Sequence, residues 1–376
     1  MIRRLYIHNF KSFLNFEIHF GDFQLLAGPN GGGKSALFDV LGRLKALVCQ
    51  GERIHSVFPP ENRTKGMAGT EGSIKVELDL EDKEKNIYAY SLEVEYEDSQ
   101  RLQRISAEKL TFNTMPLFES SLGEAQLYKD TGESGPHFPV DWSQSGVGFI
   151  MPSSVNTKMT WFKNRLARTW MLRIVPDLIA EESRREAVSP SPNLADFADW
   201  YRFLVQSQPD VIYDLTEALR SRITGFRALR LKDAGEGKLL FASFEGDKGT
   251  KPVDISFQQL SEGQKALIGL YSTFYGLFSE DSATLCVDEP ENFLALPEIQ
   301  PWLDSVYQAC EDHNRQVFLI SHHPRIINFL AAETGIWFER DNGTGPTRTF
   351  SIHVDPKSPI SIDQLIERGW IDGGQG

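Results

Sequence analysis

Four short stretches carry residue types whose spacing could do chemistry. The first is "LLAGPNGGGKSALFDVL", which fits GxxxxGK[ST] from Gly28 to Ser35. An apolar strand pattern precedes it and a helical pattern follows, which is the context this motif requires. Its glycines let successive backbone N–H groups curl around phosphate oxygens. Lys34 is placed to reach β- and γ-phosphates, and Ser35 offers a hydroxyl to Mg²⁺. The second is "TLCVDEPEN", a buried apolar strand ending in Asp288 and Glu289. The first carboxylate is suited to holding Mg²⁺ through water, and the second to polarising an attacking water. The third is "FLISHHP", in which His322 and His323 end another buried strand. One of them could reach a γ-phosphate, although such a pair is more often structural.

The fourth is "SFQQLSEGQKALIGLYSTFYGLF", residues 256–278. Ser261 can cap a helix, and Gln264 three residues on gives the capping-box spacing. Gly263 is unexpected in a first turn, where glycine costs roughly 1 kcal/mol against alanine. A helix start with bare N–H groups and a free hydroxyl is a natural anion site.

Phosphate loop, "LSEGQ", "LCVDEPE" and "ISHH" occur in that order, and the pattern resembles an ATPase of the ABC superfamily. More narrowly, "LYIHNFKSFLNFEIHF" before the phosphate loop and "EPENFLALPE" resemble the SMC/RecF/OLD-type branch, which works on DNA rather than on transport. The resemblance implies an α/β fold: an ABC-type P-loop ATPase head with a mixed central sheet, an antiparallel β subdomain and an inserted helical lobe. It implies an ATPase that uses ATP and Mg²⁺. The nucleotide would be held by Gly28, Pro29, Asn30, Gly31, Gly32, Gly33, Lys34, Ser35 and Ala36, with Ser35 and Asp288 as Mg²⁺ ligands. Glu289, His322 and Lys34 would be the catalytic residues. Two copies would pack head to tail, so that Ser261, Gly263 and Gln264 of one act in trans on the γ-phosphate held by the other.

The chain departs from the family pattern in places. The glutamine expected at the join of the lobes is absent from Met151–Ser154, and Gln144 lies earlier. After Glu289, the usual aspartate or histidine beside the leucine is replaced in the run Leu294, Ala295 and Leu296. No zinc-hook cysteine spacing and no nuclease domain is visible; a nuclease or toxin effector, where one acts with this ATPase, is expected to be a separate polypeptide.

The elements that must position these residues read as follows. Alternating strands run through "RRLYIHNF", "FLNFEIHF" and "FQLLAG", and a helix runs from Ser35 to about Val48. Residues 51–72 read as an exposed loop. An antiparallel sheet follows in "SIKVELDLE", "YAYSLEVEYE" and "RISAEKLTF", and "GVGFIM" reads as a strand ending near Pro152. From there to about Lys232 the pattern is helical, cut by Pro176, Pro190, Pro192 and Pro209, which excludes a long coiled-coil arm. The strand "KLLFASFE", the Ser261 helix, "ATLCVDE", a helix near 297–312 and "QVFLISH" come next. A short helix, two edge strands and a helix near 361–368 close the pattern. Three parts are expected: 1–152, the first ATPase lobe; 153–235, a helical lobe; and 236–376, the remaining ATPase lobe.

With 376 residues the chain can bury a large core. No apolar run is long enough to span a bilayer, and "MIRRLYIHNFKSF" lacks the apolar region of a secretory signal. The three cysteines are far apart and form no CxxC pair, so a reduced, cytoplasmic protein is the plain reading. Net charge is −13, which argues against nucleic-acid binding over the whole surface. Residues 153–232 are the exception, with 13 Lys+Arg against 9 Asp+Glu. Within them, 158–173 and 220–232 interleave Arg and Lys with Trp and Phe. That pattern is a solvated helix face over an apolar core face, a contact for the DNA backbone, or a dock for an acidic partner.

The functional expectation is an ATP-driven homodimeric switch in a DNA-associated process, repair or antiphage defence, without a membrane. Two alternatives stand beside it: the ATP-binding subunit of a membrane transporter, and a nucleotide-gated scaffold for a toxin or nuclease with little turnover. About 225 residues separate Lys34 from Ser261, roughly double the transporter spacing, which weighs against the first alternative.

Overall fold

The computed structural model describes residues 1–66, 72–97, 102–247, 250–278, 283–312, 315–352 and 361–368. They form two compact units, one of residues 1–169 and 322–376, the other of residues 170–321.

In chain order the first unit begins with β1 (Ile2–His8), β2 (Phe16–His19), β3 (Phe23–Ala27), α1 (Lys34–Cys49) and α2 (Ile54–Val57). Six strands follow: β4 (Ile74–Glu81), β5 (Ile87–Glu97), β6 (Leu102–Phe112), β7 (Met115–Ser121), β8 (Glu124–Tyr128) and β9 (Ser134–Pro139). Two helices, α3 (Gly146–Phe149) and α4 (Thr157–Ala167), complete this stretch. The second unit holds β10 (Thr169–Leu172) at its border, then β11 (Glu182–Ser183), α5 (Phe197–Ser207), α6 (Pro209–Arg220), β12 (Phe226–Ala234), β13 (Gly237–Phe244) and β14 (Val253–Ser256). It continues with α7 (Glu262–Leu277), β15 (Thr284–Asp288), α8 (Leu296–Asp312) and β16 (Gln316–Ile320). The chain then returns to the first unit with α9 (Pro324–Thr334), β17 (Gly335–Arg340), β18 (Thr347–Ser351) and α10 (Ile362–Glu367).

Two kinds of sheet result, and burial pattern separates them. The antiparallel sheet of the first unit has strand order β2-β1-β4-β5-β6-β7-β8-β9. Its strand β4 alternates buried and half-buried residues along its whole length, as a sheet with one covered face requires. By contrast β3, "FQLLA", and β16, "QVFLI", are buried at every position. Strands covered on both faces belong to parallel pairings: β3 pairs parallel with β17, and β15 with β16. Since β17 also pairs antiparallel with β18, the sheet is mixed. In the second unit β13 is central to a small antiparallel sheet, with β12 on one side and β11 and β14 on the other.

Several expectations fail for identifiable reasons. Residues 146–149 form the helix α3, not a strand. The Ser145 hydroxyl accepts from the Gly148 N–H, and the buried Glu108 carboxylate takes the Gly146 N–H at 2.7 Å. The Ser145 cap is local, but the Glu108 carboxylate comes from 38 residues away on β6, out of reach of any local pattern. The stretch 51–66 is not an exposed loop: Ile54, Val57 and Phe58 are buried, and a helical turn sits at Pro60–Asn62; residues 67–71 lie outside the described residues. The segment read as helical to Lys232 contains β10, β11 and β12. In β12 the leucines and arginines favour a helix alone, and pairing with β13 overrides that weak preference. Strands β7, β8, β9 and β14 escape the sequence pattern altogether. Finally, β17 is interior between β3 and β18, so of the two supposed edge strands only β18 has an open side within its unit.

Candidate functional site

The first unit carries the phosphate loop. Strand β3 delivers the chain into Gly28, and α1 starts at Lys34 with Gly33 at its N-cap in the left-handed region, φ 110°. No side chain caps this helix. Two glycines are required by close approach. A Cβ on Gly28 would lie 2.1 Å from the Phe338 carbonyl oxygen of β17, and one on Gly33 would lie 2.7 Å from the Thr347 hydroxyl of β18. At Gly31 a Cβ would meet open space, and the demand there is its φ of 79°.

Lys34 is folded into this loop. Its ammonium donates to the carbonyls of Gly28 at 2.8 Å and Pro29 at 2.9 Å, and the side chain is buried. The loop thus holds a positive charge beside the uncapped N-terminus of a helix, and both features favour an anion. The Gly32 N–H donates to the Pro29 carbonyl at 3.1 Å, which closes the turn. Pro29, Asn30, Gly31 and Ser35 are exposed, and Ala36 is half-buried.

The second unit carries the Ser261 helix and the Asp288–Glu289 strand end. Ser261 is the N-cap of α7, and the capping box expected from its spacing is present. The Ser261 hydroxyl accepts from the Gln264 N–H at 3.2 Å, and the Gln264 side-chain oxygen accepts from the Ser261 N–H at 3.1 Å. Gly263 also has a reason that spacing alone does not reveal. A Cβ there would come 2.9 Å from the Phe293 carbonyl oxygen, so the loop after β15 packs against the first turn of α7.

That loop is conformationally unusual. Glu289 and Phe293 both have positive φ, 51° and 72°, in the region that costs a non-glycine residue roughly 1 kcal/mol or more. Glu289 is fixed by its N–H on the Ile320 carbonyl of β16 at 2.9 Å, and its carboxylate accepts from the Asn292 amide at 2.9 Å. Asp288 ends β15, half-buried. Two further polar residues, not singled out in the sequence, complete this end of the sheet: the Ser321 hydroxyl donates to the Glu291 carboxylate at 2.6 Å. Glu291 lies in "EPENFLALPE" and Ser321 in "ISHH", and only the fold shows that the two pair.

In the first unit, the two histidines divide their roles. The His323 ring nitrogen accepts from the Arg325 N–H at 3.2 Å and caps α9, while His322 is exposed.

The basic stretches divide: Arg168, Arg173, Arg220, Arg222, Arg227 and Arg230 are exposed, while others of their cations are tied into the fold. Arg165 is 3% exposed, which removes it from any surface contact with a phosphate backbone. Met159, Phe162 and Leu166 face the core, and Trp161 stacks on Tyr88 at 4.2 Å. The Lys158 ammonium donates to the Asp130 carbonyl, and that of Lys163 to the carbonyls of Gly148 and Ile150. Asp130 in turn caps α4, accepting from the Thr157 and Lys158 N–H groups at 2.7 and 3.0 Å. Burial alone would raise its pKa, and these hydrogen bonds outweigh burial and hold the carboxyl below its usual range. In 220–232, Lys232 pairs with Asp254 at 2.7 Å, and Arg227 and Arg230 are exposed along β12.

Among the described residues no helix is long and apolar enough to cross a membrane. Two family models match the sequence. One, described as an AAA ATPase domain, covers residues 1–145; the other, described as an AAA domain, putative AbiEii toxin, Type IV TA system, covers residues 174–328. A search of curated proteins finds no match. Among solved structures, the SMC head domain from Thermotoga maritima aligns with TM-score 0.50 at 16% identity, over 94% of this chain and 99% of that one. An SMC head bound to the C-winged helix domain of ScpA aligns with TM-score 0.56 at 14% identity, over 93% and 98%. An SMC head with an extended coiled coil, bound to the C-terminal domain of ScpA from Pyrococcus furiosus, gives 0.50 at 11%, over 93% and 96%. At such identities the likeness shows the fold. The motif order, the two ATPase-domain models and the head-domain fold together support an ABC-type ATPase of the SMC/RecF-like branch.

Proposed function

We propose that the chain binds and hydrolyses ATP, dimerises head to tail when ATP is bound, and switches a separate effector in a DNA-associated process. The observation that carries the reading is the phosphate loop: a buried lysine folded among glycine-loop carbonyls at the uncapped start of α1. In this proposal Gly28–Ala36 hold the phosphates, and Lys34 leaves the Gly28 and Pro29 carbonyls for the β- and γ-phosphates. Ser35 and Asp288 offer a hydroxyl and a carboxylate, an oxygen-only donor set that suits Mg²⁺. The ion would offset charge on the phosphate oxygens. Glu289, held by its N–H on Ile320 and by Asn292, orients and deprotonates the attacking water. His322 contacts the γ-phosphate, and Ser261, Gly263 and Gln264 serve the nucleotide of a second copy. A hydroxyl that accepts from Gln264 still has its own proton to donate, so the capping box is compatible with that role.

Antiphage defence is favoured over repair by the second family model, whose description names a putative toxin of a toxin–antitoxin system. The ScpA-bound heads lend support to a partner that is a separate polypeptide. The candidates for a DNA contact in this proposal are the exposed arginines, Arg168 and Arg173 in one stretch and Arg220, Arg222, Arg227 and Arg230 in the other, and not the buried Arg165.

Glu289→Gln and Lys34→Ala test the chemistry. In size-exclusion chromatography with ATP and Mg²⁺, Glu289→Gln runs as a trapped dimer with turnover reduced at least about a hundredfold, the scale of a lost general base. Lys34→Ala stays monomeric and binds no ATP. Parent-rate hydrolysis by Glu289→Gln removes Glu289 as the base.

A further inference from the structure

The phosphate loop is braced by a residue more than 300 positions away. Thr347, the first residue of β18, is fully buried. Its hydroxyl lies 3.0 Å from the Gly32 carbonyl oxygen and 2.8 Å from the Ser12 hydroxyl. A carbonyl can only accept, so the single Thr347 proton goes to Gly32, and Ser12 donates its own proton to Thr347. The Thr347 N–H donates to the Ser12 carbonyl at 2.8 Å, which ties β18 to the β1–β2 loop a second time. All three segments belong to the same compact unit.

The consequence follows from peptide geometry. The Gly32–Gly33 peptide is trans and planar, so its C=O and N–H point opposite ways. Holding the Gly32 carbonyl toward β18 turns the Gly33 N–H away from β18. Glycine at position 33 is also what lets Thr347 come so close, since a Cβ would sit 2.7 Å from its hydroxyl and 3.1 Å from its methyl. Neither contact is needed to close the sheet, because β17 and β18 pair through their backbones from Ile336↔Ser351 to Arg340↔Thr347.

We propose that Thr347, seconded by Ser12, is a positioning residue for nucleotide binding: it sets the Gly32–Gly33 peptide so that the Gly33 N–H faces the triphosphate. The proposal rests on the ATPase reading above. A preset donor adds affinity in the ground and transition states alike, so its loss raises KM and leaves kcat nearly unchanged.

The experiment compares parent, Thr347→Ala, Thr347→Val and Thr347→Ser. ATP affinity is measured by titration calorimetry, KM and kcat by phosphate release, and unfolding without nucleotide by calorimetry. Thr347→Val keeps the volume and drops the hydroxyl; Thr347→Ala only removes atoms, so it carries the test if the second methyl of valine prevents folding. The expected result is a roughly tenfold weaker ATP affinity and higher KM for both, kcat within about twofold, and recovery in Thr347→Ser. A parent affinity in Thr347→Ala overturns the proposal, whatever happens to its melting temperature. A Thr347→Ser protein as weak as Thr347→Ala also overturns it, because packing by the methyl would then be the cause. A parent protein that binds no ATP overturns the ATPase reading, and this proposal with it.

Discussion

The helices α1 and α7 both begin at a glycine-bearing turn, and they solve the same problem in opposite ways. Every helix start leaves N–H groups without intrahelical partners. At α7 the sequence supplies the answer locally, because Ser261 and Gln264 satisfy one another's N–H groups. At α1 no side chain caps the helix, and the N-cap is a glycine at φ 110°. What shapes that start is brought from afar: the Phe338 carbonyl against Gly28, and the Thr347 hydroxyl on the Gly32 carbonyl. A helix start that caps itself is stable whether or not a ligand comes. One shaped from outside depends on the fold around it. The difference fits the proposed division, in which the α1 start is a primary phosphate site and the α7 start is offered to a second copy.

The largest effect that can break this comparison is at Gly28. An alanine there meets a strand carbonyl at 2.1 Å in a backbone with φ 137°, so both overpacking and strain oppose it. Each costs on the order of 1–3 kcal/mol. Gly28→Ala is expected to lower stability by roughly 3 kcal/mol or more in urea unfolding and to abolish ATP binding. If it folds with parent stability and loses only ATP binding, the brace from β17 is not what shapes the loop.

What the sequence made legible, and what it did not, follows the same line between local and distant causes. The Ser261–Gln264 box and the phosphate loop lie within a few residues of chain, and their spacing is their geometry. The strands ending at Ala27 and at Ile320, apolar at every position but one glutamine each, announce their burial by composition. The helix α3 is different. Ser145 caps it locally, but its Gly146 N–H goes to Glu108, whose carboxylate also takes the Tyr90 hydroxyl at 2.8 Å, so residues from three separate segments decide one turn. Arg165 misled for a related reason. Its spacing with Trp161 and Lys158 looks like an exposed basic face, whereas β-sheet residues such as Tyr88 cover the helix. Thr347, Ser12 and Phe338 left no local signal, and only the fold brings them to the phosphate loop.

A middle-sized effect sharpens the other half of the comparison. Ser261→Ala removes the acceptor for the Gln264 N–H and leaves the α7 start with a single reciprocal bond. Loss of a serine cap costs about 1 kcal/mol, expected as a lower melting temperature without nucleotide. If Ser261 also serves a second copy, ATP-dependent dimerisation measured by sedimentation falls as well. Stability lost without any change in dimerisation makes the serine only a cap.

The smallest expected effect on stability is at Gly263, and its sign is informative. Alanine is the better helix former by up to about 1 kcal/mol, so a free first turn would gain from Gly263→Ala. Against that, the new Cβ would approach the Phe293 carbonyl to 2.9 Å. That carbonyl belongs to a residue already at φ 72°, four positions after Glu289 at φ 51°. The loop between them has unfavourable torsions to relax, so it can yield where the strand carbonyl beside Gly28 cannot. The two terms then nearly cancel, and the melting temperature should move by an amount worth less than about 1 kcal/mol. Turnover should not be so tolerant. A loop pushed at Phe293 shifts the support of Glu289, which shares it through Asn292 at 2.9 Å. Gly263→Ala is therefore expected to keep ATP affinity, measured by calorimetry, and to lower kcat severalfold. A stabilised protein with parent kcat would mean that the loop moves aside without consequence, and that turnover needs the glycine neither for Glu289 nor for the nucleotide of a second copy.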